Sequence, residues 1–205
     1  MFNGCSNLTS LDLSNWDTSK VTTMHSMFLG CSALGYLNIN DWDVSNLTSV
    51  DSMFHGAGNG NLELDLSEWN TEKLTSARGV LRESNIKKAN LSGWNTGNIT
   101  SLWYFCMYAS KLEYLDLSGW NTQKVTETTN MFDGCTLMDD LRWTNWYPSV
   151  DLTKARNLPS DVLKNLLSNL ATVTDGQTLT LGSTNLAKLT DNDKKIAIDK
   201  GWTLA

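Results

Sequence analysis

The chain has 205 residues, 40% hydrophobic and 19% charged, with two prolines, a composition that suits a folded protein and not a disordered one. A net charge of -6, with sixteen Lys and Arg spread along the chain, argues against nucleic acid, which requires clustered cations. No apolar run approaches the roughly 18 residues of a membrane helix, so membrane insertion is not expected.

The N-terminal residues lack the basic, apolar, small-residue order of a signal peptide. Met1-Phe2-Asn3-Gly4-Cys5 falls in the middle of a repeat unit, so the segment is expected to belong to a longer protein with any export signal upstream. Six tryptophans, Trp16, Trp42, Trp69, Trp94, Trp120 and Trp146, follow one another at intervals of 26, 27, 25, 26 and 26 residues. Internal periodicity of this kind marks a repeat architecture. Before each tryptophan runs a pattern such as Leu8-x-x-Leu11-x-Leu13 or Leu112-x-x-Leu115-x-Leu117. Its closing alternation predicts a short strand with the leucines inward and Asp12 or Asp116 outward.

After each tryptophan the apolar spacing lengthens, as in Val21, Met24, Met27 and Phe28. That spacing predicts a helix, opened by capping residues such as Asp17-Thr18-Ser19 and closed near Gly-Cys or Gly-Ala. One unit is therefore read as strand, turn, short helix and return loop, an α/β pattern. Such a unit cannot bury its apolar side alone, so neighbours must stack into a parallel sheet, with the six tryptophans forming an internal ladder.

The motif Leu-Asp-Leu-Ser-x-Trp-x-Thr, followed by Val-Thr-x-Met and Met-Phe-x-Gly-Cys, resembles the bacterial surface protein 26-residue repeat, the BspA-like branch of leucine-rich repeats. The resemblance covers about Met1 to Trp146. It implies a right-handed leucine-rich-repeat solenoid with a parallel sheet on one face and short helices on the other, carried by bacterial surface, adhesin-like or phage-tail proteins. It supplies no catalytic residues. Two stretches depart from the motif: residues 77–85, which lose Met-Phe-Gly-Cys and leave the third helix in doubt, and Tyr147-Pro148, which interrupts the turn of the last unit.

From about Asp151 the repeat gives way to another pattern, so 1–150 is read as the repeat array and 151–205 as a C-terminal cap. Pro159-Ser160-Asp161 opens a helix with Val162, Leu163, Leu166, Leu167 and Leu170 on its apolar side. Thr178 to Leu181 alternates as a strand. Thr190 to Asp193 caps a last helix that turns Ile196 and Ile198 partly inward. A terminal unit with a polar outer side is what a repeat array requires.

No nucleophile, phosphate-loop, zinc or calcium-loop motif occurs, so neither an enzyme nor a cofactor is expected. His25 and His55 occupy different unit positions and read as exposed residues without a carboxylate partner. Cys5, Cys31 and Cys135 share one ladder position and Cys106 takes another; all are read as inward thiols, with a Cys5–Cys31 bridge left open because stacked units bring their Cα atoms about 5 Å apart. Asp12, Asn38, Asp65, Asn90 and Asp116 form an outward row, read as a hydrogen-bonded Asx ladder over the alternative of calcium.

Specificity is expected where the units differ on an exposed face. Six places before each tryptophan stand Ser10, Tyr36, Glu63, Lys88, Tyr114 and Asp140, and Arg142 joins them from the neighbouring row. Tyr36, Glu63, Lys88, Tyr114, Asp140 and Arg142 are the candidate binding residues of a concave strand face suited to an extended protein or glycan on a host or neighbouring cell. A second candidate is the aromatic group Trp103, Tyr104 and Tyr108, read either as local packing or as a docking patch. The leading expectation is a non-catalytic recognition module at the cell surface. A phage tail-tip or fibre component, expected to be trimeric, and a structural spacer are the alternatives.

Overall fold

The computed structural model describes residues 1–205. Each tryptophan-marked unit contributes one short strand: β1 (Ser10–Asp12), β2 (Tyr36–Asn38), β3 (Glu63–Asp65), β4 (Lys88–Asn90), β5 (Tyr114–Leu117) and β6 (Asp140–Trp143). β1 pairs with β2, and β3 to β6 form a four-stranded sheet; every pair is parallel and follows sequence order. Register joins equivalent unit positions, so Leu64, Ala89, Leu115 and Leu141 lie in one row. All four are buried, as a strand alternating about a covered face requires. The protein is thus a mixed α/β molecule of parallel sheets and a few short helices.

The helices expected after each tryptophan do not form. Their place is taken by tight turns with isolated parallel bridges Thr23↔Ser49, Ser49↔Ser76 and Ser101↔Glu127. Two features of the backbone explain this. The residues ten and fourteen places after the tryptophan are left-handed in every unit from the first to the fifth, as with Ser26 (φ 53°) and Gly30 (φ 71°), or Tyr104 (φ 58°) and Tyr108 (φ 59°), and a right-handed helix cannot run through them. The remaining N–H groups reach across to the next unit: Met24 donates to Ser49 O, Ser26 to Asp51 O, Phe28 to Met53 O and Gly30 to His55 O, at 2.8–3.0 Å. Between them, three-residue turns such as Met27 N–H to Met24 O and Cys31 N–H to Phe28 O bury a residue about every third place, which imitates helical spacing in the sequence. The third unit keeps the same path. Gly79 (φ 57°) and Glu83 (φ 54°) hold its left-handed positions, and Ala77, Val80 and Leu81 are buried.

Five of the six tryptophans stack. Ring centroids from Trp16 through Trp42, Trp69 and Trp94 to Trp120 are 6.0–6.4 Å apart, with planes within 16° of parallel. Each indole from Trp42 to Trp120 donates its N–H to a carbonyl of the preceding unit: Leu13, Ile39, Leu66 and Leu91 in turn. The ring therefore fastens one unit to the next by area and by direction. Trp146 leaves the ladder. It stacks on Trp143 at 4.8 Å and donates to Pro148 O, because Tyr147-Pro148 carries the chain away from the turn of the other units.

Beyond it lie β7 (Val150–Asp151), α1 (Ser160–Ser168), β8 (Thr178–Thr180), α2 (Gly182–Leu186), α3 (Asp191–Ile198) and β9 (Thr203–Leu204), with β7, β8 and β9 forming a parallel sheet. α1 buries Leu163, Leu166 and Leu167 against the end of the array, and Leu166 O accepts the indole N–H of Trp143 at 3.0 Å. Thr190 caps α3 reciprocally with Asp193. Ile196 packs on the core as expected, but Ile198 is 59% exposed, because the helix ends there and the apolar stripe closes on Ala197. No helix is long and apolar enough to cross a membrane.

Candidate ligand-binding face

The structure brings the varied outward positions into one row. Glu63, Lys88, Tyr114 and Asp140 are direct register partners across β3 to β6, and Tyr36 holds the same row on β2 beside Ser10. Lys88 and Glu63 form an ion pair at 3.0 Å. Tyr114 is held on two sides: its hydroxyl donates to Asp116 Oδ2 at 3.0 Å and the Arg142 guanidinium lies over its ring at 5.1 Å. Partial burial, and then the Asp116 carboxylate, push its phenol above the ordinary tyrosine range, so it stays a protonated donor. Arg142 in turn forks onto Asp140, with contacts of 3.1 and 2.7 Å. Tyr36 is free by comparison, with 51% of its surface exposed.

Sequence reasoning missed that the sheet is open between β2 and β3. At other junctions a backbone N–H three places before the tryptophan reaches the next strand, as Leu13 to Asn38 O, Leu66 to Asn90 O and Leu91 to Asp116 O, and one seven places before it reaches the preceding unit, as Gly35 to Thr9 O and Lys87 to Leu62 O; Ile39 lacks the first bond and Leu62 the second. The cause is the one 27-residue interval. Gly58 and Gly60, both at φ 93°, loop across the start of β3, and Asn59 N–H ties the loop to Leu34 O while Gly60 N–H reaches Asn85 O. A side chain at Gly58, already left-handed, would lie 2.9 Å from the backbone of Asn85, so that site needs glycine, whereas one at Gly35 would meet only the tip of the Asn59 side chain. Over this junction and the strands beside it the face forms a trough of ≈ 700 Å³ lined by Tyr36, Glu63, Lys88 and Tyr114 together with Asn38, Asn40, Asn61, Asp65 and Asn90. Asp140 and Arg142 stand beyond its end. The spacing of Trp42 and Trp69, with Gly-Asn-Gly-Asn before Leu62, was the available signal.

The Asx row is engaged by its own strand ends. Asp12, Asp65, Asn90 and Asp116 each accept the N–H of the serine two places on, at 2.9–3.2 Å. Ser14 N–H and hydroxyl hold Asp12 below the usual carboxylate range. No three His, Cys, Asp or Glu side chains converge as a metal-ligand set.

Trp103, Tyr104 and Tyr108 lie on the turn segments and not on the strand row. Trp103 stacks on Tyr104 at 4.2 Å, Arg82 covers Tyr104 at 5.3 Å, and the Tyr108 ring lies over Gly134. Trp103 and Tyr108 remain 41% and 49% exposed. Beside them, His55 is half-buried and its Nε2 is 3.4 Å from Glu83, which corrects the reading of an unpartnered exposed histidine; only His25 is exposed. Glu83 ionises below its ordinary range because, although partial burial opposes it, His55 and Arg82 favour the charged form. Of the four free thiols, Cys31, Cys106 and Cys135 are buried, whereas Cys5, read as inward, is exposed. A further hollow of ≈ 500 Å³, lined by Asp133, Asp151, Lys154 and several threonines, opens where Tyr147-Pro148 replaces the sixth turn segment.

The family described as "Mycoplasma protein of unknown function, DUF285" matches residues 1–102 and 57–160. The chain belongs to this family. The matched stretches span all six tryptophans, so the family signature and the stacked units coincide. No curated protein matches the chain.

Proposed function

We propose that this protein is a non-catalytic recognition module of a bacterial surface protein or adhesin, built as a leucine-rich-repeat solenoid of the BspA-like kind and capped over 151–205, which holds an extended protein or glycan on its strand face. One observation carries this reading. Inward positions repeat from unit to unit, while the outward position changes at every step from Tyr36 through Glu63, Lys88 and Tyr114 to Asp140, the last four in direct register. Stacking requires sameness, so variation on an aligned exposed row is the mark of a surface selected for a partner.

The anchors are of two kinds. Tyr114, clamped by Asp116 and Arg142, offers rigid contact area with little entropy left to lose, and Tyr36 offers a larger exposed ring. The Glu63–Lys88 pair sets local charge and discriminates partners more than it adds affinity. The test is a Tyr36→Ala/Tyr114→Ala double variant measured for binding to intact host or neighbouring cells. A loss of at least about tenfold at unchanged melting temperature supports the module, since one anchor contributes about 1–2 kcal/mol; unchanged binding removes the strand-face assignment.

A further inference from the structure

We infer that the opening between β2 and β3 is a binding subsite for a neutral oligosaccharide, whose hydroxyls occupy the unpaired strand edges while its rings lie along the row from Tyr36 to Tyr114. The inference rests on the strand-face reading above and narrows it to one ligand chemistry.

The first argument is the state of the backbone. Ile39 N–H and Leu62 N–H find no acceptor, and no backbone donor reaches Gly35 O or Asp65 O. A parallel sheet satisfies such groups between strands; Ile39 is sealed from solvent, but Gly35, Leu62 and Asp65 line the trough, and there the open groups are met by solvent or ligand. Donors and acceptors stand side by side here, and a hydroxyl is the common ligand group that serves both, giving one proton and accepting on two lone pairs.

The second argument is room. An added peptide strand would need its flanking strands about 9.6 Å apart, twice the usual interstrand distance. This junction is pinned far closer: Asn59 N–H to Leu34 O at 3.1 Å, Trp69 Nε1–H to Ile39 O at 3.2 Å, and the Trp42 and Trp69 rings at 6.3 Å. A polypeptide backbone does not fit between these strands, so an occupant lies above the face and reaches their edges by single groups.

The third argument is charge and shape. Asn40 and Asn61 present amides at the trough, and in the second unit Asn38 does not accept the N–H of Asn40, unlike the Asx contacts of the neighbouring units. The only lysine of the lining, Lys88, is already paired with Glu63, and Asp65 adds a further negative charge. That balance disfavours acidic saccharides and phosphates. From β2 to β5 the row spans at least about 14 Å, three strand spacings, which exceeds one pyranose ring and calls for a chain of sugars. Tyrosines stand at both ends of that span, and flat rings with polar tips suit the apolar faces of sugars.

The test uses the full chain labelled with nitrogen-15 and four neutral hexasaccharides: cellohexaose, laminarihexaose, maltohexaose and mannohexaose. At least one is expected to shift the amides of Ile39, Asn40, Leu62 and Asp65 saturably below about 10 mM. Asn40→Ala and Asn61→Ala, each checked by thermal melting, are expected to weaken that binding about tenfold. Absence of any shift at these amides with all four sugars overturns the subsite, as does a shift at the same amides with an extended hexapeptide alone. If cell binding still depends on Tyr36 and Tyr114 while the trough amides stay unmoved, the strand-face module survives and the saccharide assignment falls.

Discussion

Removal of one rung of the indole ladder tests how the units are joined. Trp94 is 1% exposed, stacks on Trp69 at 6.0 Å and on Trp120 at 6.1 Å, and donates its indole N–H to Leu66 O at 3.1 Å. Truncating a buried tryptophan to alanine costs about 3–5 kcal/mol. Two stacked neighbours, at about 0.5–1.5 kcal/mol each, and a carbonyl stripped of its donor, at about 1 kcal/mol, place Trp94→Ala at the top of that range, near 5 kcal/mol. Trp16 provides the internal control. It is 40% exposed, makes no indole hydrogen bond and stacks on one tryptophan, Trp42, with Phe2 tilted beside it, so Trp16→Ala is expected to cost about 1–2 kcal/mol. Urea unfolding followed by circular dichroism reads both. Because whole domains hold only about 5–15 kcal/mol, and an array couples through neighbours, Trp94→Ala is also expected to split the transition into two. Equal losses for the two variants, or a loss below about 2 kcal/mol at Trp94, would refute the idea that the ladder fastens unit to unit.

Ser84 takes the place held by Cys31 and Cys135 in other units, and its hydroxyl is buried without a partner; Ser84→Ala is expected to raise stability by about 1 kcal/mol in chemical denaturation, and a loss of that size would contradict the assignment. Iodoacetamide on the native protein is expected to label Cys5 first and to leave Cys106 and Cys135 unmodified until unfolding, since both are buried and burial pushes the Cys106 thiol well up; mass spectrometry that finds either inner thiol labelled natively would be at odds with this packing. Acid should loosen the fold in a defined direction. Asp12, Asp17 and Asp43 ionise below the ordinary aspartate value because serine groups donate to them in the folded chain. Their contribution is therefore complete above the unfolded value and is lost as pH falls through the folded ones, so melting temperature is expected to drop between about pH 4 and pH 2; a flat profile there would remove these contacts from the account.

The legible part of this molecule was its period. Trp16 to Trp120 announced the stacked ladder, the Leu-x-Leu alternation announced the strands, and Pro159-Ser160-Asp161 and Thr190 to Asp193 announced α1 and α3. The segments after the tryptophans misled because turns of three residues and helical turns both bury a residue every third or fourth place. Only the left-handed backbone at Ser26, Ser52 or Tyr104 separates them, and non-glycine residues seldom advertise that conformation. The outward row was readable as a varied position, since register follows from equal spacing. The opening beside it was not read, although it follows from one extra residue between Trp42 and Trp69 and the Gly-Asn-Gly-Asn loop that absorbs it.

Residue-resolved amide hydrogen exchange on the free protein tests the central claim most directly, that stacked units present a strand face opened between β2 and β3. Leu66 and Leu91, whose N–H groups reach Asn90 O and Asp116 O, are expected to exchange slowly, and Ile39 and Leu62 to exchange far faster despite equal burial of their side chains. Equal protection at Ile39, Leu62, Leu66 and Leu91 would mean a continuous sheet with no opening for a ligand, and would contradict the account.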